Sequence, residues 1–223
     1  MDAYVWSKEL AEKLVAEFGS RVAFVGLQGS RARGEAHEGS DIDVVVLLDA
    51  VTAGDLARYR MLVESMPQSE LACGFVGSVP VLAAWPRHEL FQFCNDTVPI
   101  YGELSGIPPF TRGEAMEAAQ IGASGIYHAA CHALVFDGEE AVHILASLYK
   151  GAFFTLQALQ FARTGEYPHT KSELAKLLDG GEARILEINR DWDRRCPSND
   201  AEMGELTDLI LGWAEGVIRS NCE

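Results

Sequence analysis

Two short apolar runs, VAFVGL (Val22–Leu27) and IDVVVLL (Ile42–Leu48), commit the first part of this chain to a fold with a sheet at its centre. Both read as strands, and the second is continuous enough in apolar character to lie inside a sheet. Helix signals alternate with them. Trp6, Leu10, Leu14 and Phe18 recur every four residues, an amphipathic helix that Gly19 can end. Thr52 is placed to cap a helix running towards Met66, closed by Pro67. LACGFVG then reads as a third strand, HELFQFCND as a helix and VPIYGEL as a last strand.

The pattern changes after Pro108 and Pro109. Thr111 and Glu114 have capping-box spacing and open a helix to about Phe136; Asp137-Gly138 breaks it, and a second long helix runs from Glu139 to about Arg163. Thr170 and Glu173 repeat the box ahead of a shorter helix, which Gly180-Gly181 is expected to end. Two further helical segments follow, around Ala183–Trp192 and Ala201–Ser220. The expected fold class is α+β: a mixed sheet with flanking helices over residues 1–107, then an all-helical bundle over residues 108–223.

Charge excludes one class of partner. Thirty-three acidic residues against 18 basic ones leave a formal net charge of -15, a field that repels long DNA or RNA. It suits a cationic acceptor such as an aminosugar, or it serves only solubility. No run approaches the roughly 18 apolar residues of a membrane helix, and MDAYVWSKEL lacks the basic start and apolar core of a signal peptide. The five cysteines (Cys73, Cys94, Cys131, Cys196, Cys222) are scattered and form no CxxC pair, as expected of a reduced, cytoplasmic protein.

The chemistry concentrates in GSRARGEAHEGSDIDVVVLLD, from Gly29 to Asp49. Asp41 and Asp43 are two apart at the mouth of a strand, so both carboxylates point to one face and offer the hard oxygen ligands that Mg2+ prefers. Gly29-Ser30 directly follows the preceding strand; the glycine permits positive φ and close backbone approach, and the Ser30 hydroxyl with nearby amides can donate to phosphate. Arg31 and Arg33 are expected to add positive charge towards a triphosphate, Gly34 to keep the loop open, and Ser40 to offer a further hydroxyl. The whole reads as a phosphate cradle facing a metal site.

This pattern, G-S-x-A-x-G followed after a spacer by S-D-I-D and apolar residues, resembles the signature of the DNA polymerase beta-like nucleotidyltransferases. Gly29, Ser30, Ala32, Gly34, Ser40, Asp41, Ile42 and Asp43 carry it. WPRHELFQFCNDTVPIYGEL is similar to the close of the small bacterial nucleotidyltransferase domain. IGASGIYHAACHALVF and QFARTGEYPHTKSEL are similar to bacterial proteins that pair this domain with a helical one, as in the kanamycin-type antibiotic nucleotidyltransferases and the nucleotidyltransferase–HEPN pairs. The resemblance implies a two-metal transfer of a nucleotidyl group, AMP from ATP, to a hydroxyl of a small molecule, with the helical domain on the acceptor side. A protein acceptor, as in toxin–antitoxin pairs, and a non-catalytic nucleotide-binding module are its alternatives.

The resemblance also implies a third carboxylate, a general base on the strand after the first crossover helix. The matching stretch, CGFVGSVPVLAAW, contains no acid. Glu70, Glu89 and Asp96 flank it; Glu89 is the candidate base carried forward.

Three other features of the helical half carry candidate roles. His128 and His132, four apart beside Cys131 and with His143 nearby, have a spacing that can bind zinc, but structural zinc wants four ligands, and polar points on a packed helix or part of an interdomain substrate cleft are the preferred reading. Arg163 and His169 have the Arg–spacer–His form of HEPN ribonucleases, yet the glycine and proline of TGEYP make an interhelical turn of that segment. WAEGVIRS near the end offers a surface for a homodimer.

Overall fold

The computed structural model describes residues 2–104 and 106–220, so Cys222 lies outside the described residues. The chain divides into two compact units, Met1–Pro109 and Phe110–Glu223, with the break two residues beyond the one expected from the proline pair.

In the first unit α1 (Ala3–Phe18) leads into β1 (Val22–Gln28), and a single turn, α2 (Gly29–Ala32), begins where that strand ends. β2 (Ile42–Leu48), α3 (Ala53–Glu64), β3 (Ala72–Ser78), α4 (Val79–Ala83), α5 (Arg87–Asn95) and β4 (Val98–Gly102) follow. The sheet order is β3-β2-β1-β4. β1 runs antiparallel to β2 and β4, while β2 and β3 are parallel across the α3 crossover. The sheet is therefore mixed, and its central strands are the two apolar runs.

Strand alternation decides which helices cover which face. Ile42, Val44, Val46 and Leu48 of β2 join Val22, Val25 and Leu27 of β1 in one core with Trp6, Leu10, Leu14 and Phe18 of α1. Tyr59, Leu62 and Val63 of α3 pack against it. Val45 and Leu47 point the other way. Leu47 shares a cavity of about 90 Å³ with Val79 and Leu82 of α4, and Phe75, Trp85 and Phe93 form an edge-to-face trio with ring centroids 5.1 to 5.6 Å apart. The face carrying Asp43 is thus the one covered by α4 and α5.

The third strand is shorter than the acid-free stretch suggested. It stops at Ser78, because Pro80 cannot donate to a sheet ladder but sits well in the first turn of α4.

Asp55 anchors α3. Its carboxylate closes the capping box with Thr52, accepts 2.8 and 3.0 Å bonds from the Arg21 guanidinium and a further one from Arg58, and its side chain is 2 % exposed. Hydrogen bonding to Arg21 first, then to Thr52, holds this carboxyl far below the ordinary aspartate value of 3.8. A depressed folded-state pKa stabilises the fold at pH values above the unfolded one and is lost as pH falls towards the folded one. Melting temperatures of wild type and Asp55→Asn are therefore expected to differ by a constant amount well above pH 3.8 and to converge below it. A difference that grows on acidification would contradict the assignment.

In the second unit, α6 (Arg112–Phe136) and α7 (Ala141–Thr164) form the central pair, followed by α8 (Lys171–Ala175), α9 (Gly180–Arg190), α10 (Trp192–Arg195) and α11 (Asp200–Arg219). Both expected capping boxes form, Thr111 with Glu114 and Thr170 with Glu173. α6 buries Ala115, Ala119, Ala123, Ile126, Ala130 and Ala133, and small residues bring it close to α7: a Cβ at Gly122 would lie 2.5 Å from Thr155 Oγ1. The Tyr149 hydroxyl donates to the Leu206 carbonyl of α11 at 2.8 Å, tying the third long helix to the pair. Gly180-Gly181 behaves differently from the expectation. The pair opens α9 instead of ending α8, with Asp179 at the N-cap position and Glu182 in the first turn, where acids favour a helix start. No described helix is long and apolar enough to cross a membrane.

Candidate nucleotide and metal site

Register brings the site together. Gln28, the last residue of β1, pairs with Asp43 of β2, so the chain turns into Gly29 directly beside the Asp43 carboxylate. Gly29 has φ +72°, and a Cβ built there would lie 2.0 Å from Asp43 Oδ2. The close approach expected of this glycine is therefore made to one of the two aspartates. Asp41 precedes β2 by one residue and is exposed; Asp43 is half-buried, and the pleat sends both to the same face.

The Gly29–Glu35 segment is held by its own backbone. The Arg33 amide donates to the Gly29 carbonyl at 3.2 Å and the Glu35 amide to the Ser30 carbonyl at 2.8 Å. Gly34 takes φ +69° where the loop leaves this turn.

The structure places the two arginines on protein acceptors. Arg31 Nη2 donates to the Ser40 carbonyl at 2.7 Å, and its Nε reaches the Ser40 and Asp41 carbonyls at 3.0 and 3.1 Å. It thereby ties the turn to the backbone that carries Asp41. Arg33 Nη1 donates to both carboxylate oxygens of Asp96 at 2.8 and 2.9 Å, and its Nε donates to Glu35 at 3.2 Å. Ser40 is buried, and its hydroxyl accepts from the His37 amide at 2.9 Å, so it closes the loop from within.

Glu89 sits in the first turn of α5, on a helix and not on a strand. Its side chain is 60 % exposed and lies 3.8 Å from His88 Nε2. Among the described residues no three His, Cys, Asp or Glu side chains form a metal-binding group, so the structure does not bring Glu89 into one with Asp41 and Asp43. The residue opposite Asp43 on the parallel neighbour is Cys73, which is exposed. Residues in register on adjacent strands point to the same face, so a thiol occupies the place where β3 comes nearest to Asp43. The lack of an acid is visible in the sequence, but which β3 residue faces Asp43 depends on register and is not.

The helical unit's candidate clusters resolve into structural contacts. His132 Nδ1 lies 2.9 Å from Asp137 Oδ2, and its ring stacks obliquely on Phe136 at 4.9 Å. His128 is 6.3 Å from His132, ring to ring. Arg163 pairs with Glu182 at 2.7 and 2.8 Å, and α7 ends at Gly165 in a left-handed cap, so His169 lies beyond the helix that carries Arg163.

Residues 7–75, from α1 into β3 and including the whole Gly29–Asp43 constellation, match the family model of the nucleotidyltransferase domain. Within those residues the chain carries a nucleotidyltransferase domain, and the class of protein that this domain defines is a nucleotidyltransferase. Among solved structures it is similar to the spectinomycin adenyltransferase AAD(9) from Enterococcus faecialis, determined with ATP and spectinomycin. That likeness has a TM-score of 0.56 at 12 % identity and covers 95 % of this chain and 98 % of the other, a correspondence of fold. No curated protein matches the sequence at a significant level.

Proposed function

We propose that this protein transfers a nucleotidyl group, AMP from ATP, to a hydroxyl of a small-molecule acceptor. The observation that carries this reading is the contact of the Asp43 carboxylate with the Gly29 backbone, on the face that Asp41 shares. A phosphate-binding turn and a metal-binding carboxylate pair are thereby one structure. The similar adenyltransferase fold, solved with ATP and spectinomycin, supports ATP as donor and a small molecule as acceptor.

Asp41 and Asp43 present only oxygen donors, which suits Mg2+, an ion usually held by one or two carboxylates together with phosphate oxygens and water. When bound there, Mg2+ would neutralise phosphate charge and stabilise the entering and leaving oxygens. The chain's own contribution is positioning. The Ser30 hydroxyl and the amides of the turn bind phosphate oxygens, and Arg31 holds the Asp41 backbone against the turn. The acceptor oxygen then forms a bond to the α-phosphorus as the bond to the bridging oxygen breaks, pyrophosphate leaves with that electron pair, and the hydroxyl proton passes to a base. Glu89 is the proposed base. A cytoplasmic setting is consistent with the free thiols Cys73, Cys94, Cys131 and Cys196.

With both arginines engaged on protein acceptors, the reading requires the metal to balance most of the triphosphate charge. Calorimetric titration with a non-hydrolysable ATP analogue is expected to show binding at least about 30-fold tighter with Mg2+ than without it, a coupling of ordinary size for linked ligands. Pyrophosphate release across a panel of hydroxylated acceptors, cationic ones included, tests the transfer itself. Cys73 opposite Asp43 favours one second reading, a nucleotide-binding regulatory module without turnover. Magnesium-dependent binding with no pyrophosphate released by any acceptor would select it.

A further inference from the structure

The corner between α5 and β4 grips the Gly29–Ser30 turn from both sides. Asp96, the residue that ends α5, takes both of its oxygens to Arg33, which follows the turn. Thr97, the next residue, is buried and accepts a 2.6 Å bond from Gln28 Nε2, the residue just before the turn, while Gln28 also reaches the Phe93 carbonyl at 3.1 Å. Two consecutive side chains thus hold the segment Gln28–Arg33 at its two ends. The Arg33–Asp96 pair is well shielded, at 10 and 12 % side-chain exposure, with Glu35 completing it at 19 %. With Nη1 held by Asp96 and Nε by Glu35, the shielded guanidinium is fixed in orientation as well as distance, which a mobile surface pair is not.

A side chain so placed has its charge matched inside the protein and points its geometry at the turn, not at a ligand. We propose that Asp96 is a positioning residue of the nucleotide site: acting through Arg33, it fixes the Gly29–Ser30 turn in its phosphate-binding form, with Thr97 holding the other end through Gln28. The inference rests on the nucleotide-binding reading of this turn. Its physical basis is that a donor array set before the ligand arrives avoids the ordering penalty on binding. Arg33 contributes as the strut through which Asp96 works.

The test uses the full chain and four variants, Asp96→Asn, Asp96→Glu, Arg33→Gln and the double Asp96→Asn/Arg33→Gln. Hydrogen exchange of the segment 29–34 is expected to speed up at least about tenfold in Asp96→Asn, with exchange in α1 and α3 unchanged. Affinity for the magnesium–ATP analogue should fall by about tenfold, and the double variant should bind no more weakly than Arg33→Gln alone, because the two act as one unit. Asp96→Glu, which keeps the charge, should recover part of the loss and serves if Asp96→Asn does not fold. Unchanged exchange at 29–34 overturns the inference whether or not nucleotide binds. So does tighter nucleotide binding in Asp96→Asn, which would mean that Asp96 merely competes with phosphate for Arg33. Failure of the wild type to bind any magnesium–nucleotide would instead overturn the functional reading and leave the exchange result to decide the role of Asp96.

Discussion

Gly29→Ala is expected to abolish magnesium-dependent nucleotide binding as fully as Asp43→Asn, while the chain stays folded. The added methyl carbon would sit 2.0 Å from Asp43 Oδ2, far inside van der Waals contact, and φ +72° is a conformation in which alanine is strained. The backbone strain is on the order of 1–2 kcal/mol, small enough for the domain to absorb. The Asp43 backbone is held in β2 by Gln28 on one side and Cys73 on the other, so the collision is relieved at the carboxylate or at the turn. Its carboxylate must rotate away, or the turn must move, and either change separates the metal ligand from the phosphate donors. Loss of one well-placed electrostatic group lowers turnover by about 10²–10³ in other active sites, and that is the magnitude expected for both variants. Calorimetry with the magnesium–ATP analogue, beside thermal melts that confirm folding, is the measurement. Gly29→Ala binding within a factor of about three of wild type would sink the claim that turn and aspartate form one site.

The second large effect is a gain. Cys73→Asp is expected to raise the rate of nucleotidyl transfer. β2 and β3 are parallel, Cys73 is in register with Asp43, and side chains in register share a face. The next β3 position on that face, Phe75, is taken up by the aromatic trio with Trp85 and Phe93. Position 73 is therefore where this strand can present a carboxylate to the site. General bases contribute about 10²- to 10⁴-fold, and one installed without tuned surroundings should supply the lower end, about 10- to 100-fold. Single-turnover rates against pH are the readout, since the gain should vanish as the new carboxylate is protonated. Cys73→Asn, of similar size without the charge, should show no gain. If Glu89→Gln abolishes transfer while Cys73→Asp adds nothing, the base is on α5 and the β3 position is idle.

Much of the local architecture was legible along the chain, for reasons visible in single residues. The β2 run from Ile42 to Leu48 is apolar at every position except Asp43 and is bounded by Asp41 and Asp49, and the strand spans those residues. Thr111–Glu114 and Thr170–Glu173 start helices because the capping box is satisfied within four residues. Signals that compete locally were not decidable that way. Gly180-Gly181 carries a stop signal, yet Asp179 and Glu182 around it make a start, and the start prevails. The end of β3 was legible too, since LACGFVG stops at Gly77 and the strand at Ser78, but the short helix α4 that Pro80 opens was not, because Val79–Ala83 is too short to show a period.

The sequence by itself determined the chemistry of the candidate site. A glycine-serine turn after one strand and a D-x-D entering the next involve neighbours whose spacing suffices to bring them near each other. Tertiary structure decided what each charged group is free to do. Arg31 and Arg33 look alike as cations in a loop, but Arg31 meets the Ser40 and Asp41 carbonyls and Arg33 meets Asp96, a residue more than sixty positions away. Likewise only the pairing of β2 with β3 sets Cys73 against Asp43. Spacing fixes which side chains share a face of one element, whereas the partner of a charge and the register of a neighbouring strand depend on contacts between distant segments, which packing alone selects.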